Sequence, residues 1–286
     1  MRLVSFGPAG SERLGALIAN ETKIVDLNKA DPALPDQMLA YLRGDFESRV
    51  RKLLADTSQV APSAVVDRAA VRLGAPVPRP GLIVCVGLNY KDHADEQGHE
   101  YPKAPLLFCK APFSAVGPND DVVYPEDVTQ LDYEVELGVV IGKPAKRVKA
   151  EDAGRYIAGY CTLHDVSARC AQFGDKQWFR GKSFDTFCPF GPALVTPEEV
   201  DAANLKLTCK VNGEIRQNSN TNNLIHEVPK LVAYISRGIT LQPGDVIATG
   251  TPAGVGVFMK PPALLKRGDL VELEVHGLGK IVNRIV

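Results

Sequence analysis

The chain has 286 residues, of which 45% are hydrophobic and 23% charged, and its formal net charge at pH 7 is -1. This length and composition are those of a globular protein with a substantial core, and they exclude disordered and fibrous proteins. The near-neutral charge, and the lack of any apolar run long enough to cross a membrane, predict no nucleic-acid partner and no membrane partner.

The first part of the chain predicts a small α+β unit. Its patterns place three strands and then two helices, in chain order 1–6, 14–19, 23–27, 35–42 and 46–55. Three prolines at alternate positions, Pro76, Pro78 and Pro80, then favour an extended connector. We therefore predict a small N-terminal domain over residues 1–73 and a catalytic domain over residues 74–286.

The second part of the chain is rich in strands. Strands are predicted at nine positions, in chain order 83–86, 106–109, 121–124, 133–141, 159–165, 193–196, 206–211, 246–249 and 270–275. The pair Asn212-Gly213 predicts a hairpin turn, and helices are predicted near 150–156 and 229–235. Because strands and helices do not alternate regularly, a mostly β, α+β fold is favoured over a doubly wound parallel sheet.

The segment after the strand 83–86 carries a histidine and a glutamate three residues apart, His93 and Glu96. On a helix these side chains are neighbours. A carboxylate beside an imidazole fixes its tautomer and raises its basicity, as a general base acting on water requires. A solvated helix with both residues on its polar face is the alternative, and the segment by itself favours that alternative.

The strand predicted over residues 133–141 carries two carboxylates, Glu134 and Glu136. Residues two apart on a strand point to the same face, so two like charges meet there and need a counter-charge. Asp165, after another apolar strand, offers a third carboxylate. Such a set suits Mg²⁺ or Mn²⁺ with positions open for a substrate oxygen. An exposed acidic edge strand, and an aspartate that caps the next helix, are the alternatives.

Two further features follow along the chain. Lys182 lies in the aromatic segment 178–185, where it either stabilises an oxyanion or enolate or is an ordinary surface lysine. The turn 249–256 is rich in glycine, so its backbone N–H groups either hold an anion or make a tight connection.

The six cysteines are spread along the chain without a C-x-x-C pair: Cys85, Cys109, Cys161, Cys170, Cys188 and Cys209. This spacing argues against a cysteine-rich zinc site and a disulfide framework, and it is typical of reduced thiols in the cytosol. We therefore expect a cytoplasmic protein.

Five separated motifs, taken in order, resemble the fumarylacetoacetate hydrolase superfamily. They are VGLNYKDH (86–93), DYEVEL (132–137), HDVSAR (164–169) with Gln172, GKSFDTFCP (181–189) and TGTP (249–252). Residues 178–189 and 258–262 are most similar to the branch called fumarylacetoacetate hydrolase domain-containing protein 2, which is linked to oxaloacetate chemistry. The chain has Leu88 where the acylpyruvate-cleaving branch usually has Arg, and Cys170 where many relatives have Asp.

The resemblance implies a catalytic domain built as a mixed, rolled β-sandwich and assembled as a homodimer. It implies that Glu134, Glu136 and Asp165 hold Mg²⁺ or Mn²⁺. It also implies that His93 and Glu96 form a water-activating dyad on a short segment that orders over bound substrate.

The resemblance further implies an enzyme that acts on a small 2-oxo acid, with Lys182 as polar stabiliser and with Gln172, Thr251 and Gly250 in contact with the substrate. Our first hypothesis is hydrolysis of a C–C bond in a 2,4-dioxo acid, an acylpyruvate or a fumarylacetoacetate-like compound, through a metal-stabilised enolate. Tautomerisation or decarboxylation of oxaloacetate at the same site is the alternative. A metal-binding scaffold without catalysis is a third, and the presence of both His93 and Lys182 beside the three carboxylates argues against it.

Overall fold

The computed structural model describes residues 1–286. The strands are, in chain order, β1 (Arg2–Phe6), β2 (Arg13–Ile18), β3 (Lys23–Asp26), β4 (Val65–Asp67), β5 (Ile83–Gly87), β6 (Leu106–Lys110), β7 (Ala115–Val116), β8 (Leu131–Asp132), β9 (Val135–Ile141), β10 (Ile157–His164), β11 (Ser167–Ala168), β12 (Cys188–Val195), β13 (Lys206–Val211), β14 (Glu214–Asn220), β15 (Val246–Ala248), β16 (Leu270–Val275) and β17 (Gly279–Arg284). The α-helices are α1 (Leu27–Ala30), α2 (Met38–Arg43), α3 (Glu47–Ala55), α4 (Lys91–Glu96), α5 (Arg169–Gly174), α6 (Trp178–Lys182) and α7 (Val228–Gly238). No helix is both long and apolar enough to cross a membrane.

The main sheet has eleven strands and is mixed. Ten of them follow the order β4-β3-β2-β1-β12-β10-β9-β15-β5-β6, and β7 pairs with β12. The β15–β5 and β12–β7 pairs are parallel, whereas β9 is antiparallel to both of its neighbours. A second sheet has the order β14-β13-β16-β17. A third sheet pairs β8 with β11. The three sheets, with few helices, confirm the predicted mostly β, α+β fold.

The N-terminal strands extend the main sheet, because β1 pairs with β12 through Arg2–Val195 and Leu3–Leu194. One of the two large apolar clusters also combines side chains from both predicted domains, for example Leu14 with Phe190. The domain boundary at residue 73 therefore stays a prediction. The segments before and after it share one continuous sheet and one apolar cluster.

Two differences between the prediction and the structure have local reasons. Residues 121–124 do not form a regular strand: Val122 and Tyr124 make backbone hydrogen bonds to Arg284 and Val286, which amount to a single parallel bridge. The following Pro125 has no N–H to continue a ladder. The strand β14 was not predicted because its sequence, EIRQNSN, lacks an apolar alternation. It forms because the turn Asn212-Gly213 returns the chain along β13 with both residues at positive φ, 52° and 84°.

The antiparallel pair β9 and β10 places the acidic residues. Val135 pairs with His164 and Glu136 with Leu163, so the start of β9 lies beside the end of β10. The N–H of Asp165 donates to the carbonyl of Glu134 at 3.0 Å. Residues far apart in the chain thus meet at one end of two buried central strands.

Candidate active site

Three carboxylates converge where β9 begins and β10 ends. One oxygen from each of Glu134, Glu136 and Asp165 lies within 4.8 Å of the others, and all three residues are buried. The alternative of an exposed edge strand is therefore wrong, since β9 lies between β10 and β15 and is buried along its whole length.

Buried cations hold two of these carboxylates. Lys182 Nζ donates to Glu134 Oε2 and to Asp165 Oδ2, each at 2.8 Å. Lys110 Nζ donates to Asp165 Oδ1 and to the carbonyl of Val166. Lys182 is only 2% exposed, which excludes a surface lysine, and Asp165 is bound by lysines instead of capping a helix.

Arg169 ties the cluster to the surrounding loops. Its Nη2 lies 2.7 Å from Glu134 Oε1, its Nε donates to Asp132 Oδ2 at 2.9 Å, and its Nη1 donates to Gln172 Oε1 at 2.9 Å. Asp132 in turn accepts from the backbone N–H groups of Gly256 and Val257. The guanidinium therefore positions the Asp132 carboxylate, and through it the loop at residues 256–257, together with the Gln172 amide.

The electrostatic environments of the two glutamates are opposite. Burial by itself raises the pKa of Glu134, but the charges of Lys182 and Arg169 outweigh it and lower that pKa to about 2. For Glu136, burial and then the charges of Asp165 and Glu134 raise the pKa well above its ordinary value. Glu136 accepts one hydrogen bond, from the backbone N–H of Gly250 at 2.8 Å, and it contacts no cationic side chain.

The donor set fits a hard divalent cation. The buried charged groups of the cluster are Asp132, Glu134, Glu136, Asp165, Lys110, Arg169 and Lys182. One carboxylate thus lacks a cationic partner, and it is Glu136, which lies among two other carboxylates. A divalent ion with oxygen ligands supplies the missing positive charge, and Mg²⁺ and Mn²⁺ prefer such ligands.

The predicted dyad forms on α4. His93 Nδ1 lies 3.1 Å from Glu96 Oε1, and Glu96 Oε2 accepts from the backbone N–H of Gly254 at 2.9 Å. The His93 ring is buried and faces Phe258, with the ring centroids 6.0 Å apart. The buried imidazole excludes a solvated face for His93, whereas Glu96 on the same helix is exposed.

The predicted substrate residues lie around the same cluster. Gln172 Oε1 accepts from Arg169, which leaves its amide N–H groups available to a ligand. The Thr251 hydroxyl donates to the carbonyl of Val135 at 3.0 Å and accepts from Gln217 at 2.8 Å, so it is engaged within the protein. The N–H of Gly250 serves Glu136 in this structure. Substrate contact by these residues stays a prediction.

Sequence reasoning gave no role to Lys110, Arg169 and Gln217. Lys110 ends β6 and contacts Asp165 from 55 residues away, which no local pattern indicates. Arg169 had a usable signal, because it lies in the quoted motif 164–169, four residues after Asp165. Gln217 lies on β14, the strand that the sequence did not predict.

Residues 82–286 match the fumarylacetoacetate (FAA) hydrolase C-terminal family. The chain belongs to the fumarylacetoacetate hydrolase family. It is 47% identical over 293 residues to the oxaloacetate tautomerase FAHD2A, mitochondrial, of Bos taurus, with 100% of this chain and 92% of the relative covered. The protein of the same name from Homo sapiens is 47% identical over 295 residues, with the same coverage. The predicted resemblance to the family and to this branch is confirmed.

Solved structures of the family have the same fold. A putative HpcE protein from Mycobacterium smegmatis superposes with a TM-score of 0.88 at 35% identity, covering 100% of this chain and 99% of that one. The maleylpyruvate hydrolase from Sphingobium sp. SYK-6, in complex with manganese(II) ion and pyruvate, superposes with a TM-score of 0.81 at 34% identity and the same coverage.

One prediction is wrong on this comparison. The relatives named above are mitochondrial proteins, which contradicts the expected cytoplasmic location. The physical reason is that the cysteine pattern reports a reducing environment and does not distinguish one reducing compartment from another. The six cysteines are free in the structure, as expected of reduced thiols.

Proposed function

We propose that this member of the fumarylacetoacetate hydrolase family is a divalent-metal-dependent oxaloacetate tautomerase that interconverts the keto and enol forms of its substrate. The observation that carries the proposal is a buried His93, paired with Glu96, and a buried carboxylate cluster that the same turn, residues 249–256, contacts through backbone N–H groups. The dyad supplies a base that can move a proton, and the cluster supplies the site for an ion that binds a 2-oxo acid. The 47% identity to named oxaloacetate tautomerases supports this reaction over C–C hydrolysis.

The reaction requires only one proton to move. His93 takes a proton from the CH₂ carbon beside the oxo group, the C–H electron pair forms the C=C bond, and the oxo oxygen becomes negative. The protonated imidazole then returns the proton to that oxygen, which gives the enol with no other reactant. Glu96 accepts from Nδ1, which holds the tautomer whose Nε2 is the base and stabilises the transient imidazolium.

Other residues hold the substrate and offset its developing charge. Lys182 uses two of its three N–H donors on Glu134 and Asp165, and the third is left for a substrate oxygen. The free amide N–H groups of Gln172 suit a substrate carboxylate. Glu134, Glu136 and Asp165 would hold Mg²⁺ or Mn²⁺, which when bound acts as a Lewis acid toward the 2-oxo acid.

The test follows the enol absorbance of oxaloacetate together with CO₂ and pyruvate release, with the purified protein in Mg²⁺ and in EDTA. We expect faster keto–enol interconversion without matching CO₂ release, and loss of this activity in EDTA with the cooperative unfolding transition retained. Release of CO₂ in step with enol loss would instead indicate a decarboxylase. An unaccelerated interconversion in Mg²⁺ and in Mn²⁺ would reject the tautomerase.

Hydrolysis of an acylpyruvate is the second candidate, because the same dyad can activate water. A structural relative is named as a hydrolase of a related substrate, maleylpyruvate. His93→Ala should lower either activity by roughly 10²–10⁴-fold, the usual contribution of a positioned general base. The comparison of acetylpyruvate with oxaloacetate as substrates therefore distinguishes the reactions, and His93→Ala tests the dyad in both.

We also propose that two copies of the chain associate as a homodimer. Phe173 on α5 and Phe179 on α6 are each 52% exposed, which is unusual for large apolar side chains on helices that border a site. Sedimentation velocity of the wild type and of Phe173→Ser/Phe179→Ser tests this association. A wild type that sediments as a monomer at micromolar concentration would reject it.

A further inference from the structure

Gln97 reaches back from the end of α4 to the catalytic histidine. Its backbone N–H caps the helix by donating to the carbonyls of Ala94 and Asp95. Its side-chain Nε2 lies 3.0 Å from His93 Nε2 and 3.2 Å from the His93 carbonyl oxygen. Residues four apart on a helical turn are neighbours, which is what makes this contact possible.

The two contacts of the imidazole define its tautomer. The Glu96 carboxylate only accepts, so Nδ1 carries the proton and Nε2 has a free lone pair. The Gln97 atom that faces Nε2 also faces a carbonyl oxygen, and an atom between two acceptors is the amide nitrogen. The Gln97 amide therefore donates to the lone pair that the base would use.

We propose that Gln97 is a specificity-determining positioning residue that keeps water off Nε2 of His93 and so favours proton transfer within a bound 2-oxo acid over attack by water. The inference rests on the proposed function of this site. It adds that the enzyme suppresses hydrolysis by occupying the place of the attacking water.

The discrimination follows from what each competitor gains at Nε2. A water molecule at Nε2 gains one hydrogen bond but must displace an intramolecular hydrogen bond of similar strength. The net free-energy gain of this exchange is therefore small. A 2-oxo acid is bound through other groups, which bring its carbon-bound proton to the base and offset the loss of one amide contact. Gln97 therefore restrains water more than it restrains a bound substrate.

The test compares the Mg²⁺-loaded wild type with Gln97→Leu and the shorter Gln97→Asn, using oxaloacetate for tautomerisation and acetylpyruvate for cleavage. In both variants we expect the ratio of cleavage to tautomerisation, as kcat/KM, to rise roughly 2- to 12-fold, the factor that one neutral hydrogen bond supplies. KM for oxaloacetate should stay unchanged, since Gln97 is not a proposed substrate contact. Gln59→Leu, at an exposed glutamine of the N-terminal segment, is the matched control.

A spectroscopic readout separates this role from helix stabilisation. The ¹⁵N resonance of His93 Nε2, identified by its loss in His93→Gln, should move toward the value of an unbonded nitrogen in Gln97→Leu while Nδ1 stays protonated. If Gln97 only stabilises α4, both activities fall together and the ratio is unchanged, which overturns the inference. An unmoved Nε2 resonance overturns it as well.

The outcome also separates this inference from the proposed function. A wild type that does not tautomerise oxaloacetate rejects the proposed function. In that case a faster cleavage of acetylpyruvate by Gln97→Leu, with the moved Nε2 resonance, still supports the exclusion of water. An unchanged cleavage rate rejects the exclusion.

Discussion

At the scale of single residues, the site is a set of buried charges that neutralise one another incompletely. Asp165 is shared by Lys110 and Lys182, and Glu134 by Lys182 and Arg169. Glu136 has only a backbone N–H as partner. Glu136 is therefore the point in the cluster that lacks a cationic partner, and a divalent cation held there would supply one.

Lys110→Met tests whether the buried lysine is part of this balance. Removing one partner of a buried ion pair leaves an uncompensated charge, so the free energy of unfolding in EDTA should fall by about 3 kcal/mol. Mg²⁺ should recover part of this loss because it provides another counter-charge for Asp165. Urea denaturation with and without Mg²⁺ measures both effects. A loss no larger than that of the exposed-site control Lys103→Met would contradict the prediction.

Cys170 should be the most reactive of the six thiols. Burial by itself raises the pKa of Cys170, but hydrogen bonds from the backbone and side chain of Thr129 outweigh it, so the net pKa is lowered. Burial raises the pKa of Cys109, and of the four fully buried cysteines as well. A lower pKa gives more thiolate at a given pH, and the thiolate is the nucleophile. Peptide mapping after brief iodoacetamide treatment near pH 7.5 should find Cys170 modified first, and preferential labelling of Cys109 would contradict this.

At the scale of elements, α4 is positioned by contacts on both sides of the helix. Asn89, just before it, donates to the carbonyl of Thr249 at 2.7 Å and accepts from the N–H of His226 at 2.9 Å. Glu96, its last residue, accepts from the N–H of Gly254. The glycine-rich turn 249–256 thus makes hydrogen bonds at both ends of α4. The turn therefore has a structural role, which the sequence did not decide.

Gly254→Ala should disturb this contact. Gly254 has φ of +98°, and an added Cβ would lie 2.0 Å from the backbone oxygen of Arg216, so the turn must move. We expect turnover to fall roughly 10- to 100-fold, the effect of a small displacement of a catalytic group. Gly213→Ala is the matched control, because Gly213 has φ of +84° and no atom within 4 Å of the added Cβ. Turnover in Gly254→Ala as high as in Gly213→Ala would contradict the prediction.

At the scale of the whole molecule, the catalytic strands and the N-terminal segment share one sheet. The strand β12 lies between β1 and β10, and the β10–β9 pair carries the carboxylates. One strand, β12, therefore separates the N-terminal segment from β10, which ends at His164, next to Asp165. Loss of the N-terminal segment would uncover an edge of β12 and the buried side chains that Leu3 and Leu14 contact.

A fragment of residues 74–286 should not fold as an independent unit. Without β1 to β4, β12 presents an unpaired edge, and one apolar cluster loses its N-terminal members. We expect the fragment to aggregate, or to lack a cooperative thermal transition by circular dichroism. A soluble fragment with a cooperative transition and metal-dependent activity would instead support a separate N-terminal domain.

The sequence by itself placed Glu134 with Glu136, and His93 with Glu96, because each pair is close together in the chain. Glu134 and Glu136 are two apart, His93 and Glu96 three apart, and short-range spacing decides which side chains share a face. The five motifs then identified the family in order, and the comparisons confirmed it.

Only the tertiary structure decided how the charges are matched and how the segments join. Lys110 contacts Asp165, 55 residues away in the chain, and Lys182 contacts Glu134, 48 residues away. Contacts at such separations produce no periodic pattern in the sequence. The pairing of β1 with β12 likewise depends on sheet order and not on local pattern. The contact of Gln97 with His93 is local, yet it depends on a side-chain direction that spacing alone does not give, since the polar residue could equally have faced water.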